Sequence, residues 1–279
     1  MHYVCSDIHG QYELYKKMKA DLQLKDGDTL YILGDLLDRG PEIFPLFLDV
    51  MEDPRVCCLL GNHEWMMADY AAGDSQGGRW FKPANSGSVT WGQYKALPEE
   101  TQQKIMAFIQ NRPLQLEVAV SGTTFLLSHS CFLADRGTVL WKDVTDQEVY
   151  DTVWNSPWRE KQHVEFEDYL ADGRTHVIGH VPVQYFAEPA EGPGGKTMVA
   201  ADLPEYHIVN IDLGCARIPR KDGAPGLGLC CMCLEDYAEG REAFRYYRYA
   251  EAGPVVRFLR KVKTELKNRV RRLKRMGRK

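Results

Sequence analysis

Tyr3-Val4-Cys5-Ser6-Asp7-Ile8-His9-Gly10 opens a pattern that recurs twice within sixty residues. Thr29–Leu33 runs into Gly34-Asp35-Leu36-Leu37-Asp38-Arg39-Gly40, and Val56–Leu60 runs into Gly61-Asn62-His63-Glu64. Each time a short apolar run ends in a polar cluster containing Gly, and a helical pattern follows. Leu14, Met18 and Leu22 recur at four-residue steps after the first cluster. After the second, a helix opened by Pro41 carries Ile43, Phe47, Val50 and Met51 on one face. Strands alternating with helices predict βαβ units and neighbouring parallel strands. Ligands in such sheets gather at the carboxyl ends of the strands, where all three polar clusters lie.

Beyond a Gly/Ser/Trp-rich stretch (Ala72–Gly92) a helix is expected from Pro98 to Gln110, and then the pattern changes. Leu116–Val120 and Thr123–Ser128, joined by Ser121-Gly122, predict a β-hairpin. Further strands are expected at Thr175–Ile178, His207–Ile211, Gly228–Leu234 and Phe244–Tyr249, several of them antiparallel. A second sheet packed on the first accommodates them.

With 279 residues, 44% apolar and 27% charged, the chain can bury a sizeable core. It has neither an apolar run of membrane-spanning length nor a basic and apolar leader after Met1, which predicts a cytoplasmic protein. Eight cysteines fit a reducing compartment. Cys230-x-x-Cys233 has the spacing of half a zinc site, but no second pair follows, so Gly-Leu-Gly-Leu-Cys-Cys-Met-Cys-Leu reads as a buried strand. The charge is unevenly spread. Arg257–Lys279 holds 12 Lys/Arg and one acid, Glu265, a net of +11, while residues 1–256 hold 23 Lys/Arg and 38 Asp/Glu, a net of −15. A boundary is expected near Gly253-Pro254, dividing a body of residues 1–252 from a tail of residues 253–279. Val255, Leu259, Val262, Leu266, Val270, Leu273 and Met276 make that tail an amphipathic helix with a basic face. Its partner is either the acidic body or an external anion, a membrane surface or nucleic acid.

Asp7, His9, Asp35, Asn62 and His63 all fall just past apolar strands. His129 ends Phe125-Leu126-Leu127-Ser128 and His180 ends Val177-Ile178-Gly179, following the same rule. Mixed carboxylate, amide and imidazole donors suit Mn, Fe, Zn or Co. A carboxylate can bridge, so one shared Asp allows two cations to clamp a phosphoryl displacement. Each residue alone has an ordinary structural use, as a helix cap or a hydrogen-bonded histidine. Seven together do not, because burying so many acids and imidazoles without a cation is costly.

Asp7-Ile8-His9-Gly10, Gly34-Asp35-Leu36-Leu37-Asp38-Arg39-Gly40 and Gly61-Asn62-His63-Glu64 resemble, in order and spacing, the signature blocks of the PPP-type serine/threonine phosphatases of the calcineurin-like metallophosphoesterase superfamily. Ser88–Val118 and Asn210-Ile211-Asp212-Leu213-Gly214 resemble its bacterial members, so the likeness covers roughly residues 1–250. The resemblance implies an α/β metallophosphoesterase fold, two packed mixed β-sheets flanked by helices. It implies two divalent metal ions, Mn first, with Asp7 and His9 on one, Asp35 bridging, and Asn62, His129 and His180 on the other. A hydroxide between them is the implied nucleophile; Arg39 binds phosphoryl oxygens, and His63, oriented by Asp38, protonates the leaving oxygen. A carboxylate partner is expected to favour the imidazolium that a general acid needs. The implied substrate is phosphoserine or phosphothreonine in a protein, or a small phosphoester. A dinucleoside tetraphosphate, and a non-enzymatic adaptor acting through the tail, are the alternatives.

The chain departs from the family in three places. Ser6 replaces a Gly, a small-for-small change. His129-Ser130-Cys131 replaces His-Gly-Gly or His-Ala-Gly beside the second metal. Ser156, in Trp154-Asn155-Ser156, stands where related bacterial enzymes often carry a phosphate-clamping Arg, a role for which Arg159 and Arg174 are the candidates. Asp212 is expected to be structural, near His180. His2, His163, His176 and His207 are expected in turns or solvent, and Trp80, Trp91, Trp141 and Trp158 in core or loop packing, with cleft lining as the other use.

Overall fold

The computed structural model describes residues 1–73, 77–158, 165–186, 190–192, 195–217 and 227–248. The three apolar runs at the start form β1 (His2–Cys5), β2 (Thr29–Ile32) and β3 (Val56–Cys58), paired in parallel in that order. Helices α1 (Tyr12–Leu22) and α2 (Ile43–Glu52) make the crossovers. Pro41 lies just before α2 rather than in its first turn. After β3 come α3 (Asn62–Ala72), the short α4 (Gly77–Trp80), α5 (Gly87–Lys95) and α6 (Glu99–Gln110).

The second half supplies the other sheet. β4 (Pro113–Val120) and β5 (Thr123–Ser128) form the expected hairpin. Ser121 and Gly122 both sit at positive φ, 48° and 81°, as a two-residue turn matched to strand twist requires. There follow β6 (Val139–Leu140), α7 (Asp146–Trp154), α8 (Phe166–Asp172), β7 (Thr175–Ile178), β8 (Ala190–Gly192), β9 (Gly195–Thr197), β10 (Ala201–Leu203) and β11 (Ile208–Asn210). β12 (Leu229–Cys233), α9 (Leu234–Ala238) and β13 (Phe244–Tyr247) complete the described body.

The strand order is β13-β12-β1-β2-β3 in one sheet and β10-β11-β7-β5-β4-β6 in the other, with β8-β9 a separate pair. Both large sheets are mixed: β12 runs antiparallel to β1, while β7 runs parallel to β5 and β11. Alternation along each strand decides the layers. Val4, Cys230 and Met232 of the first sheet share a core with Phe125, Leu127, Val177 and Val209 of the second. Their neighbours Tyr3, Cys5, Leu30, Ile32 and Cys231 face the other way, against buried residues of α1, α2, α3 and α6. Leu126, Ile178 and Ile208 pack on Tyr169 of α8. This is the expected pair of packed mixed sheets flanked by helices, and it sets the carboxyl ends of β1, β2, β3, β5 and β7 side by side.

Cys230, Cys231 and Cys233 are buried in β12, and the described cysteines are all unpaired. No helix among the described residues is long and apolar enough to cross a membrane. The chain divides into Met1–Arg248 and Tyr249–Lys279. The second unit, with the expected helix over residues 253–279, lies outside the described residues, as do Arg159 and His163.

Candidate metal centre

Two close backbone approaches draw the strand ends together. A Cβ on Gly34 would stand 2.5 Å from the Cα of Gly61, so only hydrogen at both positions lets Asp35 approach Asn62 and His63. A Cβ on Gly179 would overlap Ser6 Oγ and Asp7 Oδ2, so Gly179 admits His180 to the edge of β1. Backbone strain concentrates in the same place. Asp7, His9, Asp35, Asp38, Arg39 and His180 all have φ between 47° and 69°, a region costly for residues with a Cβ. Hydrogen bonds from His9 N to Asp35 O at 2.9 Å and Gly10 N to Leu36 O at 2.9 Å hold the first two loops in these conformations.

Asp35 is the centre of what results. One of its oxygens lies 3.4 Å from His9 Nε2 and 3.9 Å from His63 Nε2, and the other lies 3.6 Å from His129 Nε2. Asn62 Oδ1 is 2.9 Å from His129 Nε2 and 3.1 Å from His180 Nδ1. Asp7 Oδ2 accepts the backbone N–H of His180 at 3.0 Å. Donor atoms of His9, Asp35 and His63 form one group within 4.8 Å, and those of Asp35, His129 and His180 form another. Asp7, His9, Asp35, Asn62, His63 and His129 are each no more than 2% exposed.

Second contacts set which ring nitrogen is available. His9 Nδ1–H donates to Leu37 O at 2.7 Å, and His129 Nδ1–H donates to Leu33 O at 2.7 Å, leaving each Nε2 lone pair toward Asp35. Burial, with the Arg39 charge nearby, holds His9 well below the ordinary imidazole value, and burial lowers His129 as well. Both therefore stay in the neutral form that ligates. Burial, then the charges of Asp7 and Glu64, push Asp35 well above the carboxylate range. Oxygen and imidazole donors crowded in this way, with the acid destabilised for want of positive charge, fit a pair of divalent cations. A soft-metal site would need thiolates, and none joins either group.

His63 and Asp38 stand beside this cluster. His63 Nδ1 hydrogen-bonds Asp38 Oδ2, and His63 Nε2 is buried with no protein partner. Burial, with the Arg39 charge, drives His63 well below the ordinary imidazole value. Burial also raises Asp38 to about 7, against the opposing pull of Thr90, Trp80 and the Arg39 charge. Desolvation thus outweighs the carboxylate's pull toward imidazolium that the sequence suggested. Both shifts disfavour the charged forms of the two groups. Arg39 is exposed, its Nη1 2.7 Å from His9 Nε2 and its Nη2 3.4 Å from Asn85 Oδ1.

Several residues here were not legible beforehand. Glu64, fully buried, accepts N–H groups of Asp35 at 2.8 Å, Leu36 at 2.9 Å, Leu37 at 3.0 Å and Gly61 at 3.2 Å. Its one sequence signal was its place at the third position of a helix following Gly61. Trp80 is buried in the core, as expected, and in addition donates Nε1–H to Asp38 Oδ2 at 2.7 Å, while Thr90 Oγ1 donates to Asp38 Oδ1. Ser6 Oγ donates to Asp7, so the small-for-small change also adds a contact. Ser130 Oγ donates to Asn155 O, tying the end of β5 to the end of α7. Arg174 is engaged by Asp172 at 2.6 Å and Glu117 at 2.8 Å, which takes it out of contention as a clamp. Asp212 accepts Gly214 N–H at 2.7 Å within its own loop, while Asn210 donates to Val181 O at 3.0 Å and steadies the segment after His180. His176 lies buried in β7 rather than in a turn, bonded to Asp172 at 3.0 Å.

Among curated proteins no sequence matches this chain. In solved structures the fold recurs in a protein provisionally assigned as a diadenosine tetraphosphatase, at 14% identity and TM-score 0.52 over 89% of this chain and 94% of that one. It recurs also in a cold-active protein-tyrosine phosphatase of a psychrophilic Shewanella, at 14% identity and TM-score 0.50 over 88% and 80%. The family model of calcineurin-like phosphoesterases matches residues 3–198, well over half the chain and every residue of the candidate metal centre. Sequence family, sheet architecture and a dinuclear donor set agree, and this chain belongs to the calcineurin-like phosphoesterases.

Proposed function

We propose that the chain is a phosphatase of the PPP type, from its bacterial branch, hydrolysing phosphomonoesters with phosphoserine or phosphothreonine in proteins as substrate. One observation carries the reading: Asp35 belongs to both donor groups, with the unpartnered Nε2 of His63 3.9 Å away. In this reading Asp7, His9 and Asp35 hold one divalent ion and Asp35, Asn62, His129 and His180 hold the other, Mn being the first choice. Two such ions, when bound, neutralise phosphoryl charge and acidify water.

The chain's own groups do the rest. Arg39, exposed at the mouth, holds non-bridging phosphoryl oxygens with its planar fork. His63 gives the proton on Nε2 to the leaving oxygen as the P–O bond breaks and keeps the proton it shares with Asp38 on Nδ1, while Asp38, fixed by Trp80 and Thr90, holds the ring for that transfer. Water supplies the new P–O bond, with no covalent enzyme intermediate. Every named group precedes residue 181, so the catalytic unit is residues 1–252 and the basic segment 253–279 serves another purpose.

The test is a panel of phosphopeptides, small phosphoesters and dinucleoside polyphosphates assayed with Mn. Turnover of phosphopeptides supports the reading. Symmetrical cleavage of dinucleoside tetraphosphates with inert phosphopeptides replaces the substrate but keeps the chemistry, and no turnover of any member refutes it.

A further inference from the structure

A second guanidinium fork strengthens the hold on a phosphoryl dianion, and this chain carries Ser156 where related enzymes often place a second arginine. Ser156 is fully buried at the end of α7, and Arg174 is occupied by two carboxylates. Among the described residues, another arginine lies near the candidate metal centre. Arg79, on α4, lies with its guanidinium carbon 4.8 Å from the ring centre of Trp154 and 5.5 Å from that of Tyr150. The Trp154 ring packs edgewise on the imidazole of His180, centroids 5.8 Å apart. Arg79 is therefore one ring away from a ligand of the candidate metal centre.

It is joined to Arg39 from the other side. Asn85 donates Nδ2–H to the backbone oxygen of Arg79 at 3.0 Å and accepts from Arg39 Nη2 at 3.4 Å. Arg79, Trp154, Asn85 and His180 are all half-buried, so this edge of the site is open to solvent. Among the described residues Arg79 has no carboxylate partner; its charge is met only by aromatic faces. A guanidinium stacked on rings keeps its in-plane N–H donors available, whereas one paired with a carboxylate spends them.

We infer that Arg79 is the second phosphate-binding residue of this enzyme, taking over from the sequence position that Ser156 vacates. The inference rests on the phosphatase reading above. Its fork complements that of Arg39, and the Trp154 and Tyr150 rings hold its plane steady at little entropic cost on binding. The anion it takes is the phosphoryl group of the substrate or the inorganic phosphate product.

The full-length protein supplied with Mn tests this with two readouts, the KM and kcat for a phosphoserine peptide and the Kd of inorganic phosphate by titration calorimetry. A charge-assisted hydrogen bond is worth about 1.5–3 kcal/mol, so Arg79→Met, which keeps the apolar stem on Trp154, is expected to raise KM and phosphate Kd roughly 10- to 100-fold. Arg79→Lys keeps the charge without the fork and is expected to recover part of that loss. Unchanged KM and phosphate Kd in Arg79→Met, with only a lowered melting temperature, overturns the inference and leaves Arg79 a staple between α4 and α7. Wild-type protein that neither hydrolyses phosphoesters nor binds phosphate defeats the phosphatase reading itself, and the inference with it.

Discussion

The carboxylate of Glu64 accepts the backbone N–H of Asp35 at 2.8 Å, so the first turn of α3 holds the loop that carries the central acid of the candidate metal centre. Three further N–H groups end on the same carboxylate. Removing it strands buried donors at about 1–3 kcal/mol each. Glu64→Ala is expected to lose at least ~3 kcal/mol in urea denaturation and to bind less Mn by elemental analysis. Glu64→Gln sets an amide NH2 against two donors and recovers only part. A variant with wild-type stability and metal content would show that the loop holds its own shape.

If His63 protonates the leaving oxygen, its loss must matter most where that oxygen leaves badly. His63→Ala is expected to slow an alkyl phosphoester by roughly 10²–10⁴ in kcat, the usual reach of general acid catalysis. A nitrophenyl ester, whose leaving group needs little protonation, loses far less. Equal losses on both substrates would assign His63 to metal binding, which its place in the first donor group also allows.

Metal occupancy should be visible in stability. A ligand at 100 times its Kd adds about 2.7 kcal/mol, which raises the melting temperature of a body this size by roughly 5–10 °C. Mn addition to chelator-treated protein is expected to give that shift in calorimetry. In Asp35→Asn, where the shared oxygen is neutral, it shrinks to a few degrees and metal stoichiometry falls below two. A full shift in Asp35→Asn removes the bridging role.

His176 supplies a pH signature away from the candidate metal centre. Burial lowers it to about 4, opposed only in part by Asp172. The folded state thus binds fewer protons than the unfolded chain between about 4 and the ordinary 6.5. Stability from this group is whole above 6.5, falls as pH drops through that window, and changes no further below 4. About 3 kcal/mol is the largest loss such a shift allows. His176→Asn is expected to flatten the urea midpoint between pH 6.5 and 4 relative to wild type, and an unchanged slope would count against it.

Truncation after residue 252 is expected to leave kcat and KM for a phosphopeptide within twofold, since the groups assigned to chemistry all lie earlier. A large loss of turnover would make the basic segment part of the catalytic unit. Salt-sensitive binding to anionic liposomes that disappears on truncation would give that segment a membrane partner.

Much of this molecule was legible from periodicity. The three parallel strands, the hairpin through Ser121-Gly122, the strand containing Cys230 and the polar clusters at strand ends all follow from short-range pattern, because alternation and turn chemistry are local. His129 and His180 could be named because each ends an apolar run. Contacts across the sandwich left no local trace. Glu64, Trp80 and Thr90 gain their roles from partners 27 to 52 residues away, and Arg79 from a ring on α7.

The chain's order of residues therefore determined by itself which strands form, which side chains stand at their ends, and that those side chains are of kinds that can hold a metal. Only the packing of two sheets decided that Asp35 lies between two donor groups and that burial disfavours the charged forms of Asp38 and His63. The physical reason is desolvation. How far a charge is buried, and which distant dipoles meet it, is a property of the assembled interior and of no single segment.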